Sequence, residues 1–234
     1  GLSPLRGQNN VQGGGDMGAL PNKLPGFQDV EDDVAREKFN QKWNCVIPPK
    51  NGWNLTQMFE AMERKELRAV FVIGENPAQS EADGAHATHL LENLDFLVVQ
   101  DLFLTKTAQL ADVVFPGSAS WCESDGTVTN SERRVQRVRK AINSPGNARD
   151  DIQIILDLAR EMGHDWKYES SEQIWDELRS LSPMHAGMSY KRLAELGGIQ
   201  WPCFSEDTLE PSFLHGRLWD KDPAKRGRLA PFSV

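Results

Sequence analysis

Arg68-Ala-Val-Phe-Val-Ile-Gly-Glu-Asn-Pro-Ala-Gln-Ser80 decides the fold. Its apolar centre, Val70 to Ile73, is too short for a helix, and its β-branched and aromatic residues predict a strand buried on both faces. Gly74 stops that strand and lets the chain turn sharply, Asn76 and Ser80 add hydrogen-bonding side chains, and Pro77 can open a new element. Such a stretch is the carboxyl end of a parallel strand, where open α/β sheets bind ligands.

Upstream, Leu55, Met58, Phe59 and Met62 recur at helical spacing and predict an amphipathic helix over 54–65, after a charged helix over 31–43 and a Pro48-Pro49 loop. Downstream, 85–93 is expected to be helical with Leu90 and Leu91 inward, and Leu94 to Gln100 repeats the buried-strand pattern. Strand, helix, strand is a βαβ crossover. Leu110 to Phe115 is a third apolar run, closed by Pro116-Gly117. The expectation is therefore an α/β fold: a Rossmann-like αβα sheet with short parallel strands, accompanied by irregular α+β segments of a neighbouring domain. Gln100 stands at the mouth of the second strand. No Gly-x-Gly-x-x-Gly follows any strand, so the ordinary NAD fingerprint is absent.

Past the sheet, Glu132-Arg-Arg-Val-Gln-Arg-Val-Arg-Lys140 reads either as a solvated strand or helix face or as a phosphate or carboxylate clamp. Asp150 and Asp151 open a helix whose inward face is expected to carry Ile152, Ile155, Ala159 and Met162. Ser170 with Gln173 is a capping-box pattern for a helix carrying Ile174, Leu178 and Leu181, and a short helix over 190–196 ends at Gly197-Gly198. From Trp201 onward, prolines punctuate a polar tail that reads as a connector.

The net charge of −8 over 234 residues argues against a general nucleic-acid or anionic-membrane surface. No apolar run approaches the roughly 20 residues that span a bilayer, and no secretion-signal layout opens the chain, so a soluble, cytoplasmic protein is expected. Three dispersed cysteines, Cys45, Cys122 and Cys203, form no C-x-x-C pair and read as reduced, packed thiols. The five histidines complete no metal signature, and His86 with His89 reads as a surface pair on one helix. No metal ligand is expected.

The opening stretch Gly1 to Asp16 is dense in Gly, Asn and Gln, a composition that allows close backbone approach and many amide hydrogen bonds to a polar cofactor, or else a flexible tail. It reads as an interior loop. Arg6-Gly-Gln-Asn-Asn-Val-Gln-Gly13 followed by Asp16-Met-Gly-Ala-Leu-Pro21 resembles the molybdopterin-dependent formate dehydrogenases of the dimethyl sulfoxide reductase superfamily. So do Gly74-Glu-Asn-Pro77, Val99-Gln-Asp101, Thr105-Lys-Thr-Ala108, Ala111-Asp-Val-Val-Phe-Pro116, Asp125-Gly-Thr127 with Glu123, Asn130-x-Glu-Arg-Arg-x-Gln136 and Ile174-Trp-Asp-Glu-Leu178. These blocks run in order through nearly the whole chain, as the central fragment of a catalytic alpha subunit.

The resemblance implies oxidation of formate to carbon dioxide with molybdenum or tungsten held by two molybdopterin guanine dinucleotides. It places Arg6 and Gln8 beside the metal as the catalytic pair. A guanidinium there can hold the carboxylate by charge-assisted bonds. Gln8, Gly74, Asn76, Ser80, Gln100 and Asp151 are the implied cofactor contacts, Asp151 accepting from guanine or capping its helix instead. Asn76 stands where other members have Asp. The family's cysteine or selenocysteine metal ligand and its 4Fe-4S motif lie upstream of the Arg6 block, so neither is ligated by this chain, which is expected to be inactive alone. Implied partners are the rest of the catalytic subunit and an iron-sulfur or flavin electron-transfer subunit. The expected division is an active-site loop over 1–10, a Rossmann-like dinucleotide-binding domain over 11–120 and 150–170, and a second domain with connector over 121–149 and 171–234. The rival readings are a molybdopterin-fold subunit that serves electron transfer without catalysis, and a sister oxidoreductase acting on nitrate or another oxyanion.

Overall fold

A computed structural model of the chain describes residues 7–207. Arg6, and most of the proline-punctuated tail, lie outside the described residues. In chain order the elements are α1 (Val11–Asp16), β1 (Lys23–Leu24), β2 (Gln28–Asp29), α2 (Asp33–Trp43), α3 (Leu55–Glu63), β3 (Ala69–Ile73), α4 (Pro77–Ser80), α5 (Gly84–Glu92), β4 (Phe96–Asp101), β5 (Val113–Pro116), β6 (Gly126–Thr129), β7 (Arg134–Val138), α6 (Asp151–Glu161), α7 (Ser171–Leu181), α8 (Tyr190–Glu195) and β8 (Ile199–Gln200). The three apolar runs form one parallel sheet in the order β3-β4-β5, with Val72 opposite Val99 and Val99 opposite Val114. The fold is mixed α/β, as the patterning predicts.

Alternation along the strands sends Val70, Val72, Leu97 and Val99 to one face, where Met62 of α3, Leu90 and Leu91 of α5, and Ala78 of α4 close a core over them. Asn54 caps α3 through a reciprocal box with Gln57, and Asp83 caps α5 by accepting from the His86 amide. The opposite face explains a correction. β3 is not buried on both faces: Ala69 and Ile73 are exposed, Phe71 is half-buried and only Val72 is buried. The reason is position, since β3 is an edge strand and β4, with Leu97, Val99 and Gln100 buried, is the central one.

The basic run is neither a helix nor a solvated face. It is β7, the middle strand of an antiparallel sheet β6-β7-β8, and Val135 lies fully buried in a second core with Trp175, Met188, Tyr190, Leu193, Ile199 and Cys203. Its arginines are used for packing: the Arg137 guanidinium sits 3.3 Å from the Tyr190 ring centroid, and Arg134 Nη1 donates to Gly198 O at 3.0 Å. In α7 the buried anchor is Trp175, whose Nε1 donates to Met188 O at 2.6 Å, and Leu181. Ser170 caps this helix, but Gln173 Oε1 accepts from Glu169 N instead of closing the box.

The inward face of α6 is rotated from the expected one. Ile154 and Ala159 are buried, whereas Ile155 is 40% and Met162 69% exposed, so the covered stripe is not the one the spacing suggests. α1 ties the two halves together: Trp201 Nε1 donates to the buried Asp16 Oδ2 at 2.8 Å, and Gly26 N to Asp16 O at 2.7 Å.

Candidate functional site: the cleft at the carboxyl ends of the parallel strands

Each strand of the parallel sheet delivers one group to the same edge. β3 ends in Gly74, which adopts φ +64 with open space where a Cβ would stand, and its N–H donates to Gln100 O at 2.9 Å. β4 carries Gln100, 1% exposed, one residue before its end. After β5, Gly117 pairs with Arg149 in a parallel bridge, and Arg149 N donates to Pro116 O at 3.1 Å. That short splice lays the start of α6 beside the strand ends and brings Asp150 and Asp151 to them.

The two aspartates divide the work. Asp150 is the N-cap, its Oδ1 accepting from Ile152 N at 2.9 Å, which leaves the Asp151 carboxylate for the sheet edge. There Gln100 Nε2 donates to Asp151 Oδ1 at 2.6 Å. Burial raises the Asp151 pKa, the Gln100 hydrogen bond acts against that, and the Asp150 charge adds to it. Gly117 is needed beside this pair, because a Cβ would come within 3.3 Å of Asp151 Oδ1 and 3.4 Å of Gln100 Cγ. Gln100 Oε1 is buried and has no hydrogen-bond partner among the described residues. A buried carbonyl oxygen left without a donor is costly unless a ligand or water supplies one.

The cleft in front of these groups has a volume of about 650 Å³ and is lined by Gln8, Asn10, Gly74, Trp121, Thr127 and Asp151 among others. Of the residues singled out from sequence, Gln8, Gly74 and Asp151 thus line one space, and Gln100 touches it through Asp151. Asn76 does not line it. Its Oδ1 accepts from Thr107 N at 3.1 Å and Thr107 Oγ1 at 2.8 Å, and its Nδ2 donates to Gln79 Oε1 at 3.2 Å. Thr107, fully buried, also accepts from Ala78 N at 3.0 Å, so it fixes the whole turn after β3. Ser80 is exposed at the end of that turn. In the sequence Thr107 stands only as part of the Thr105-Lys-Thr-Ala108 block, and nothing in its spacing announces that its hydroxyl meets Asn76 and Ala78. Among the described residues no group of three or more His, Cys, Asp or Glu is arranged to hold a metal ion, and His86 and His89 are both exposed.

A parallel sheet whose strand ends carry a glycine turn and a glutamine-aspartate pair, opening on a polar cleft, has the layout at which open α/β proteins bind ligands. Residues 5–161 match the Molybdopterin oxidoreductase family, and the chain belongs to it. It is 46% identical over 233 residues to the alpha subunit of an F420-dependent formate dehydrogenase from Methanocaldococcus jannaschii, covering 99% of this chain and 34% of that protein. It is 43% identical over 204 residues to formate dehydrogenase H of Escherichia coli, covering 87% of this chain and 28% of that one. The chain spans about a third of the length of these relatives. Among solved structures, acetylene hydratase from Pelobacter acetylenicus superposes with a TM-score of 0.53 over 80% of this chain and 25% of that one, at 22% identity, a likeness of fold.

Membership implies a molybdopterin-type cofactor, and the residues present fit one on chemical grounds. Gln100 Oε1, unpartnered among the described residues, and the Asp151 carboxylate supply acceptors for donor groups of such a cofactor, and the bare backbone at Gly74 permits close approach.

Proposed function

We propose that this chain is the part of a molybdopterin formate oxidoreductase that holds a guanine dinucleotide arm and supplies the formate-side residues Arg6 and Gln8. The observation that carries the reading is the Gln100–Asp151 pair. It joins a buried acceptor oxygen that has no donor among the described residues to a carboxylate, at the strand ends of a family member whose relatives are named formate dehydrogenases. Guanine offers N1–H and N2–H donors side by side, which two acceptors match, whereas adenine offers a donor beside an acceptor. Gly74 and Ser80 extend the same grip, and Asn76 serves it by holding the turn to Thr107.

In the intact protein two molybdopterin guanine dinucleotides would carry molybdenum or tungsten, and the bound group supplies the two-electron redox chemistry that turns formate into carbon dioxide. What this chain adds is binding and orientation. Arg6 holds the formate carboxylate by a forked, charge-assisted contact, which fixes the C–H bond relative to the reacting centre. Gln8, on the cleft wall, orients the substrate through its amide. Formate loses one proton and two electrons overall. The electrons would leave through a 4Fe-4S cluster held elsewhere in the parent to an iron-sulfur or flavin subunit. The proposed domain division remains 1–10, 11–120 with 150–170, and 121–149 with 171–234, in a cytoplasmic enzyme of which this chain alone is inactive.

Asp151→Asn in the cofactor-loaded parent enzyme is the decisive test. An amide places a donor against the guanine donors, and retained pterin dinucleotide, measured by its released fluorescence, is expected to fall roughly tenfold or more. Full retention with unchanged formate turnover would sink this reading.

A further inference from the structure

Asn10 occupies the N-cap of α1, yet it does not cap the helix with its side chain. An asparagine at that position ordinarily turns its oxygen onto the second or third amide of its own helix. Here Oδ1 instead accepts from the backbone N–H of Thr129, 119 residues away, at 2.9 Å. Thr129 ends β6, an edge strand of the antiparallel sheet, and its N–H faces the side on which β6 has no strand neighbour. The Asn10 oxygen therefore takes the place of a missing strand at that edge.

Two further features are built around this contact. Asn10 adopts φ +65, in the left-handed region that Asn and Asp tolerate better than other residues with a side chain. Gly13, buried, leaves the only room for the asparagine oxygen: a Cβ there would lie 2.0 Å from Asn10 Oδ1 and 3.3 Å from Thr129 N. Both features serve one geometry. The segment so anchored includes Gln8 and Asn9, which line the cleft together with Asp151.

We infer that Asn10, seated by Gly13 on the Thr129 amide, is a positioning residue that sets where Gln8 stands at the mouth of the cleft. The inference rests on the proposed function, since it assigns Asn10 a role through a residue placed there beside formate. Position 10 must supply both left-handed backbone and an acceptor oxygen. Asp meets both demands, Gly only the first, and Ala neither.

The test uses the native cofactor-loaded protein that carries this chain, with Asn10→Gly, Asn10→Asp, Gly13→Ala and Gln8→Ala. Asn10→Gly keeps the backbone and loses the oxygen. It is expected to raise the formate KM roughly tenfold with pterin content and melting temperature close to wild type, since loss of orientation alone costs rate and affinity on that scale. The Thr129 amide should exchange with deuterium about tenfold faster or more, having lost its acceptor. Asn10→Asp should restore both readings to within about twofold, because the carboxylate keeps the acceptor. Gly13→Ala, which expels the oxygen while leaving Asn10 in place, gives the same outcome by a second route if Asn10→Gly proves unstable. Unchanged Thr129 exchange, an unchanged formate KM in Asn10→Gly and Gly13→Ala, or failure of Asn10→Asp to rescue would each overturn the inference. Gln8→Ala separates the two claims: a wild-type formate KM in that variant overturns the proposed role of Gln8, whereas a raised KM beside a normal Asn10→Gly overturns only the role of Asn10.

Discussion

The side chain of Asn76 accepts from both the amide and the hydroxyl of Thr107, and the same hydroxyl accepts from Ala78 N, so one buried threonine closes three hydrogen bonds under the turn after β3. Thr107→Val is nearly isosteric but removes the hydroxyl, which strands the buried Ala78 N–H. Denaturant unfolding should show a loss of about 1–3 kcal/mol, recovered by Thr107→Ser. Equal stability in all three proteins would show that the turn does not depend on the hydroxyl. The sequence announces Asn76, because an Asn directly before Pro and two residues after Gly is a turn signal, but it cannot announce which way the amide faces. That is decided by a residue 31 positions later. Asp151 shows the converse. Sequence leaves it shared between capping and ligand binding, and the structure gives the cap to Asp150 and sets the Asp151 carboxylate against Gln100.

At the level of elements, a helix such as α6 is legible in its existence and its start, but not in its buried stripe. The apolar residues Ile152, Ile154, Ile155, Leu156, Leu158 and Met162 populate more than one face, and only neighbours distant in sequence select which face is covered. Ile154→Ala should therefore cost roughly 2–5 kcal/mol by denaturant unfolding, whereas Met162→Ala should stay within about 0.5 kcal/mol, the pattern opposite to the one the sequence suggests for position 162. The parallel strands were legible for a related reason: short apolar runs closed by Gly74, by Gln100-Asp101 and by Pro116-Gly117 admit few alternatives, and all three supply strands of one parallel sheet. Strand order was not legible, and with it went the burial of β3, since an edge strand and a central strand share one composition. The run from Glu132 to Lys140 misleads in the same way. Its charges suggest solvent, while Val135 and the long arginine stems pack against Tyr190 and Gly198 to make a central strand.

Over the whole molecule, the second core encloses His185, which is fully buried, 2.7 Å through Nδ1 from Ser182 Oγ and edge-on to Trp175. Burial pushes its pKa from 6.5 down to about 4. The folded state therefore keeps it neutral while the unfolded chain protonates it near pH 6.5. The stability it confers is present above that pH and is lost as pH falls toward 4, by about 3 kcal/mol in all. Urea midpoints recorded from pH 7 to pH 4 should show this slope, and His185→Gln should flatten it; an identical slope in the variant would assign the acid sensitivity elsewhere. The same core stands at the end of a longer dependency. Asp16 of α1 is held by the indole of Trp201, 185 residues downstream, and Asn10 by the amide of Thr129. Both are contacts of very long sequence separation, the kind that forms late because the intervening chain must be ordered first. The wall bearing Gln8 thus stands ahead of both of its clamps in the chain, and neither end of α1 is fixed until Thr129 and Trp201 have joined it.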